Sequence, residues 1–312
     1  MKQGISTRRQ PDDLDPGMPR VELPLPPKPS MVDRIRYRLQ PTAAAAAAPI
    51  PRMPYPTVEL SYWMPESRYA AVNFGDELSR TVVELMLARR GATLFDSSAA
   101  ARQLVAVGSV LHTARNGATI WGTGLHGAMP LSEHRYTQLD VRAVRGPITR
   151  RFLRQRGVAV PEIYGDPALL LPLVANGRFA PTGEWDVGVV PNLHDQHYLA
   201  TLDLPRTHPG LLVIDPLRSW NVVVADILRC RTVIASSLHG LVIAEAYGIP
   251  ARYVRFTDRE PMLKYEDYYG GTGRGVRPAT TIDQALVMGG EAPGSNDGVA
   301  LAAAFPYDLW GL

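Results

Sequence analysis

Short apolar runs alternate with amphipathic stretches from Thr57 to near the end of the chain. Strands read at Thr57–Trp63, Leu104–Gly108, Thr119–Gly122, Val141–Val144, Val187–Val190, Leu211–Ile214, Thr232–Ala235 and Ala251–Phe256. Helices fit Asp76–Arg89, Ile148–Arg156, Trp220–Cys230, Gly240–Tyr247 and Ile282–Met288. Leu78, Val82, Leu85 and Met86 recur at helical spacing along the first of these. A strand that must cross over through a helix before it pairs again gives parallel sheets covered on both faces. The fold class is therefore α/β, with doubly wound, Rossmann-like domains. Ligands on such sheets sit beyond the carboxyl ends of the strands, so the turns that follow strands are the ones to search. Gly177-Arg-Phe-Ala-Pro-Thr-Gly183 interrupts the pattern and divides the folded part into residues 57–180 and 181–312.

Residues 1–56 are different in kind. They hold 12 of the 28 prolines, and the run Ala43–Ala48 has Pro41 and Pro49 close on either side. Such a segment cannot bury enough apolar surface to offset its ordering entropy, so it reads as a disordered leader. Within it, Met31, Ile35 and Leu39 recur every fourth residue beside Arg34, Arg36 and Arg38. That is a basic amphipathic turn or two, suited to peripheral contact with an anionic membrane surface, although a solvated charged segment is the plainer reading. The leader carries nine Lys/Arg against five Asp/Glu, which accounts for the net charge of +3. The remainder is close to neutral, which speaks against a nucleic-acid partner. No stretch reaches the roughly 18 apolar residues of a membrane span. A lone cysteine, Cys230, excludes an internal disulfide framework and reads as a buried thiol. The expected location is cytoplasmic.

Thr232-Val-Ile-Ala-Ser-Ser-Leu-His-Gly240 is the strongest local signal: an apolar strand ends in two serines and a histidine, and a helix starts at once. The free amides of that first turn favour an anion. Ser236 and Ser237 can cap the helix or donate to a carboxylate or phosphate, and His239 stands where a proton donor to a bound anion would stand. A plain cap with a half-exposed histidine is the alternative. In Leu139-Asp-Val-Arg-Ala-Val-Arg-Gly-Pro147, Pro147 opens a basic helix and Arg145 lies nearest the turn, able to fork onto an anion or to make an ion pair. Glycine-bearing strand ends form a third group: Asn73-Phe-Gly-Asp76, Gly108-Ser109, Gly122-Thr-Gly124 and Tyr164-Gly-Asp166-Pro167. None of them completes a dinucleotide or triphosphate fingerprint. His194 and His197 lack an obvious third ligand, so no metal site is expected. Lys264-Tyr-Glu-Asp-Tyr-Tyr-Gly-Gly-Thr-Gly-Arg274, which includes Tyr268, mixes aromatics with both charges and reads as a surface loop, either structural or contacting a sugar acceptor.

Taken in order, Asn-Phe-Gly-Asp at 73–76, Gly-Ser-Val-Leu-His at 108–112, Trp-Gly-Thr-Gly at 121–124, Val-Arg-Gly-Pro at 144–147, Tyr-Gly-Asp-Pro at 164–167 and Ser-Ser-Leu-His-Gly at 236–240 resemble the polysaccharide pyruvyl transferase family. The Lys264–Arg274 stretch and the terminal Ala-Ala-Phe-Pro-Tyr-Asp-Leu-Trp310 are similar to its xanthan ketal pyruvate transferase branch. The resemblance covers residues 57–312. It implies a GT-B-like pair of domains with phosphoenolpyruvate bound between them, and transfer of pyruvyl to a lipid-linked oligosaccharide or polysaccharide acceptor. No cofactor is implied. The family's Leu-His pair maps onto Leu238-His239 and its arginine onto Arg145; together with the turn's own chemistry, His239 is expected to be the general acid and Arg145, Ser236, Ser237, Leu238 and Gly240 to bind the donor. Asn73, Asp76, Gly108, Ser109, Gly122, Asp166, Glu245, Lys264, Tyr268 and Arg274 are then expected on the acceptor side or in the cleft. Many members carry an arginine where this chain has Ser237, so another cation, Lys264 or Arg274, is expected to replace it. Glu245, two turns into the same helix, reads as an acceptor base or a buried partner. The competing readings are a GT-B-type glycosyltransferase with a nucleotide-sugar donor and a non-catalytic subunit that binds polysaccharide.

Overall fold

The alternation resolves into two four-stranded sheets in which every pairing is parallel. The computed structural model describes residues 58–64, 72–96, 102–295 and 298–312. Residues 1–56, with the basic segment Met31–Leu39, lie outside the described residues. The first sheet places β1 (Val58–Ser61), β2 (Arg102–Val105), β3 (Ala118–Trp121) and β4 (Leu139–Ala143) side by side, with α1 (Phe74–Ala88) after β1 and α2 (Pro147–Gln155) after β4. The second sheet is ordered β6-β5-β7-β8, from β5 (Trp185–Val190), β6 (Leu211–Val213), β7 (Cys230–Ala235) and β8 (Ala251–Tyr253). Helix α3 (Trp220–Leu228) leads into β7, and α4 (Leu238–Ala246) leaves it. Each expected strand is present, with ends displaced by a few residues. Among the described residues no helix is long and apolar enough to cross a membrane.

Local chemistry explains these elements. Asn73 caps α1 by accepting a hydrogen bond from the Gly75 amide at 2.8 Å, and Leu78, Val82, Val83 and Met86 bury one face. Gly188 in β5 leaves room for the neighbouring strand, since a Cβ there would lie 2.6 Å from Cys230 Sγ. Burial pushes the Cys230 thiol up to about 12, and it donates to the Asp226 carbonyl, so it is the inert structural group expected.

The two sheets are tied together more closely than their covalent order suggests. The short turn Pro167–Leu170, capped by Asp166, packs against both α1 and α4. One apolar cluster runs from Phe74 and Leu78 through Ala168 and Leu171 to Leu241 and Ile243. The last residues return to the first sheet. Trp121 donates from Nε1 to the Leu301 carbonyl at 2.9 Å and meets Phe305 edge-on at 4.8 Å. Tyr307 donates to the Met86 carbonyl, and Arg142 forks onto Asp308. Residues 181–312 are thus not a unit packed only on itself.

The stretch read as a surface loop, Lys264–Arg274, is largely a buried helix, α5 (Leu263–Gly271). Its glycines suggested a loop, but Tyr265, Tyr268 and Tyr269 fall at helical spacing, and all three are buried. The glycines serve close approach instead. A Cβ on Gly271 would lie 2.6 Å from the Arg145 carbonyl, and a Cβ on Gly146 would overlap the Asp267 backbone. Gly146→Ala should therefore push α5 off the start of α2 and cost at least about 2 kcal/mol of unfolding free energy. Chemical denaturation of the variant beside the parent checks this, and an unchanged midpoint would refute the close packing.

Candidate active site

In the second sheet the chain leaves β5 toward β6 on one side and β7 toward β8 on the other, so the crevice between the carboxyl ends of β5 and β7 is a topological switch point. The turns there are locked to each other. The Asn192 amide donates to Ser236 Oγ at 3.0 Å, and its side chain donates to Asp195 Oδ2 and accepts from the His194 and Asp195 amides. Tyr265 donates to the Ser236 carbonyl at 2.5 Å. Ser236 is buried and occupied by this framework. Ser237 caps α4 by accepting from the Gly240 amide at 3.2 Å. Gly240 lies under the turn, where a Cβ would press on Val190 and Ala235. Of the five residues expected to bind the donor, Ser237 and Leu238 line the cleft, whereas Ser236 and Gly240 shape it from beneath.

His239 occupies the first turn of α4, and its ring reaches across to the first sheet. A Cβ on Gly75 would collide with the imidazole, and one on Gly108 would lie 4.0 Å from Cε1. The edge of Phe74 closes another side. Nε2 is the buried nitrogen, 3.5 Å from Asp166 Oδ2. Asp166 is fully buried and fixed by its other oxygen, which accepts from the Ala168 amide at 3.0 Å. The pairing leaves Nδ1, beside Gly75, as the nitrogen on the open side. Gly122 supports this arrangement indirectly: at φ +85° it abuts Gly165 and Pro167, where a Cβ would overlap the proline ring.

A cleft of about 430 Å³ opens over this ring, lined among others by Asn73, Asp76, Ser109, His126, Asn192 and Lys264. Burial pushes the Asp76 carboxyl up to about 6, although His239 and Lys264 pull it the other way. Lys264 Nζ forms an ion pair with Glu260 Oε2 at 2.5 Å. Its ammonium is made less basic mainly by burial, and Glu260 opposes that shift. His126 is held near 4, first by burial and then by Lys264, so it is neutral at pH 7 and available as a hydrogen-bonding group.

Arg145 does not reach the cleft. It is completely buried, with Nε 3.2 Å from Asp267 Oδ2, one terminal nitrogen donating to Ser109 Oγ at 2.6 Å and the other to the Leu125 carbonyl at 2.7 Å. Asp267 also accepts from the amide and hydroxyl of Thr149. A buried guanidinium needs such a cage, and α5 supplies it. Arg145 touches the cavity through Ser109, on the cleft wall. Buried Glu245 and Tyr268 and half-buried Arg274 form a separate group. Glu245 Oε2 accepts from Tyr268 at 2.9 Å and Arg274 at 2.6 Å, beside another small cavity of about 160 Å³. Glu245 is thus placed as a buried partner, and Lys264, not Arg274, lines the cleft. Asn192 was missed although it lies two residues beyond the end of β5. Glu260 and His126 lie in segments with no motif, and nothing in the sequence pointed to them.

A family model described as polysaccharide pyruvyl transferase matches residues 73–256. That range contains Asn73, Asp76, Ser109, Asp166, Asn192 and His239, and stops short of Glu260 and Lys264. Among curated proteins, the "Uncharacterized protein L143" of Acanthamoeba polyphaga mimivirus is 31% identical over 169 residues, which is 52% of this chain and 57% of that protein. The "Succinoglycan biosynthesis protein ExoV" of Rhizobium meliloti (strain 1021) is 27% identical over 249 residues, 73% of this chain and 70% of that protein. The chain thus spans a little over half the length of the first relative and more of the second.

The raised Asp76 carboxyl carries a stability signature. The native state binds this proton more tightly than the unfolded chain, whose carboxyl titrates near 3.8, so stability declines as pH rises through about 6. Asp76→Asn removes that decline. At pH 7 it should stabilise the fold by on the order of 1 to 3 kcal/mol, a gain that shrinks toward zero near pH 4. Denaturant midpoints at the two pH values check this, and an equal effect at both would contradict it.

Proposed function

The chain belongs to the polysaccharide pyruvyl transferase family, and from that premise we propose that it moves a pyruvyl group from phosphoenolpyruvate onto two hydroxyls of a sugar in a polysaccharide precursor, closing a cyclic ketal. The donor is a small compound with a phosphate and a carboxylate. The cleft suits it because α4 begins there. The Ser237 cap takes the Gly240 amide and leaves those of Leu238 and His239 directed at an anion. Lys264 supplies the positive charge that Arg145, enclosed by Asp267, Ser109 and Leu125, does not bring to the surface. The two sheet units facing one cleft are the arrangement expected of a GT-B-like protein, and an acceptor would enter from the side of the first sheet.

The observation that carries the reading is the held imidazole. Ketal formation needs a proton at the methylene carbon of the enol phosphate, which creates a cationic C2 for hydroxyl attack. Asp166 sits behind Nε2, while the missing side chain at Gly75 admits the ring to the cleft and fixes its direction. His239 then delivers the proton from Nδ1. Asp166 is a positioning residue in this scheme. The succinoglycan connection of one relative agrees with an exopolysaccharide precursor as acceptor.

The test is incubation of the purified chain with phosphoenolpyruvate and a lipid-linked oligosaccharide acceptor, following phosphate release and the mass of the glycan. Phosphate release with a ketal-bearing product supports the reading. Release of a nucleotide from a nucleotide sugar instead would replace it with the glycosyltransferase. His239→Gln should lower turnover by about 10² to 10⁴ with little change in donor affinity, whereas Lys264→Met should mainly raise the donor KM. A His239→Gln protein with near-normal turnover would remove the acid from this position.

A further inference from the structure

The chemistry leaves one proton without a carrier. Two hydroxyl groups lose their protons during ketal closure. One of these can reload His239, which has given its own to the methylene carbon. The second must leave by another route and end on the departing phosphate, so a second basic group is needed on the same side of the cleft.

The carboxylates near the ring can be sorted by what already holds them. Asp166 stands behind the imidazole, away from the cleft, with one oxygen on the Ala168 amide. Glu260 is engaged by Lys264 at 2.5 Å and by His194 at 3.2 Å. Glu245 belongs to the separate group with Tyr268 and Arg274. Asp76 lines the cleft, and none of the described residues hydrogen-bonds its carboxylate. It also follows Gly75, the residue on which the His239 ring rests, and both Asp76 and His239 line the same cleft. The charged groups that face it are His239 from α4 and Lys264 from α5.

We propose that Asp76 is the catalytic base that takes the proton from an acceptor sugar hydroxyl and passes it to the leaving phosphate, an inference that rests on the pyruvyl-transfer reading above. The balance is as follows. The Nδ1 proton of His239 and the C2=C3 electron pair form the new C–H bond of the methyl group. The first hydroxyl oxygen bonds to C2 and its proton passes to Asp76. The C2–O bond to phosphate breaks, and the phosphate leaves with the electron pair and takes the proton from Asp76. The second hydroxyl oxygen closes the ring, and its proton restores His239. No oxidant or metal enters the balance. A burial-raised carboxyl near the working pH is well matched to accepting and then returning a proton.

The experiment uses the full chain with phosphoenolpyruvate and the acceptor. Asp76→Asn should lower kcat by roughly 100-fold while the calorimetric donor Kd stays within about threefold of the parent and the protein unfolds at no lower temperature. Asp76→Ala should be equally slow and should regain part of its rate when formate is added, a response that a structural role would not give. An Asp76→Asn protein that keeps more than about a tenth of parental turnover, or an Asp76→Ala protein indifferent to formate, overturns the assignment while leaving pyruvyl transfer intact. A parent protein that releases no phosphate from phosphoenolpyruvate overturns the transfer reading itself, and this inference with it.

Discussion

The imidazole of His239 rests on the backbone of Gly75, and through that contact two parallel sheets come to share one site. The ring arises from the helix after β7, while Gly75 opens the helix after β1. Any side chain at Gly75 would occupy the space of the ring. The same approach brings Asp166 up behind Nε2, because the turn it caps is wedged between α1 and α4. A histidine at a helix start is by itself unremarkable chemistry. Held between a glycine, a buried carboxylate and an aromatic edge, it has a fixed direction and a fixed open nitrogen.

The electrostatics of the cleft are a balance of opposing effects and not a simple positive pocket. Burial weakens the Lys264 ammonium and the Asp76 carboxylate as charged groups, and each partly restores the other. Glu260 restrains Lys264, and His126 is kept neutral close by. Arg145 contributes from one layer back. Its guanidinium is neutralised by Asp267, and its reach into the cavity is the hydrogen bond to Ser109. Burying an ion pair here adds little stability by itself. It does fix α5 against the start of α2, and therefore fixes where Lys264 stands.

Two readings of the sequence changed for the same reason. Arg145 was expected to hold an anionic ligand, and Lys264–Arg274 was expected to be a loop. Each depends on the other, since the helix formed by that stretch brings Asp267 to enclose the arginine. Glycine and charge in a short segment look alike whether they serve solvent or close packing. The distinction came from Gly146, Gly270 and Gly271, where a neighbouring backbone or proline occupies the space a side chain would need. Glu245 and Arg274 illustrate the reverse case. Their charges suggested a cleft, but they pair with each other, Glu245 also accepting from Tyr268, and stand apart from it.

The sequence by itself determined the parallel α/β architecture, the capped turn at Ser237 and the presence of His239 in its first helical turn. Those features depend on periodicity and on residues adjacent in the chain, where hydrophobic spacing and capping chemistry act locally. Tertiary structure alone decided which carboxylate meets the histidine, which cation faces the cleft and which arginine is enclosed. Asp166 and His239 are far apart in the chain, as are Arg145 and Asp267. Whether such charges attract a ligand or each other depends on distance and desolvation, and these exist only once the two sheets have packed.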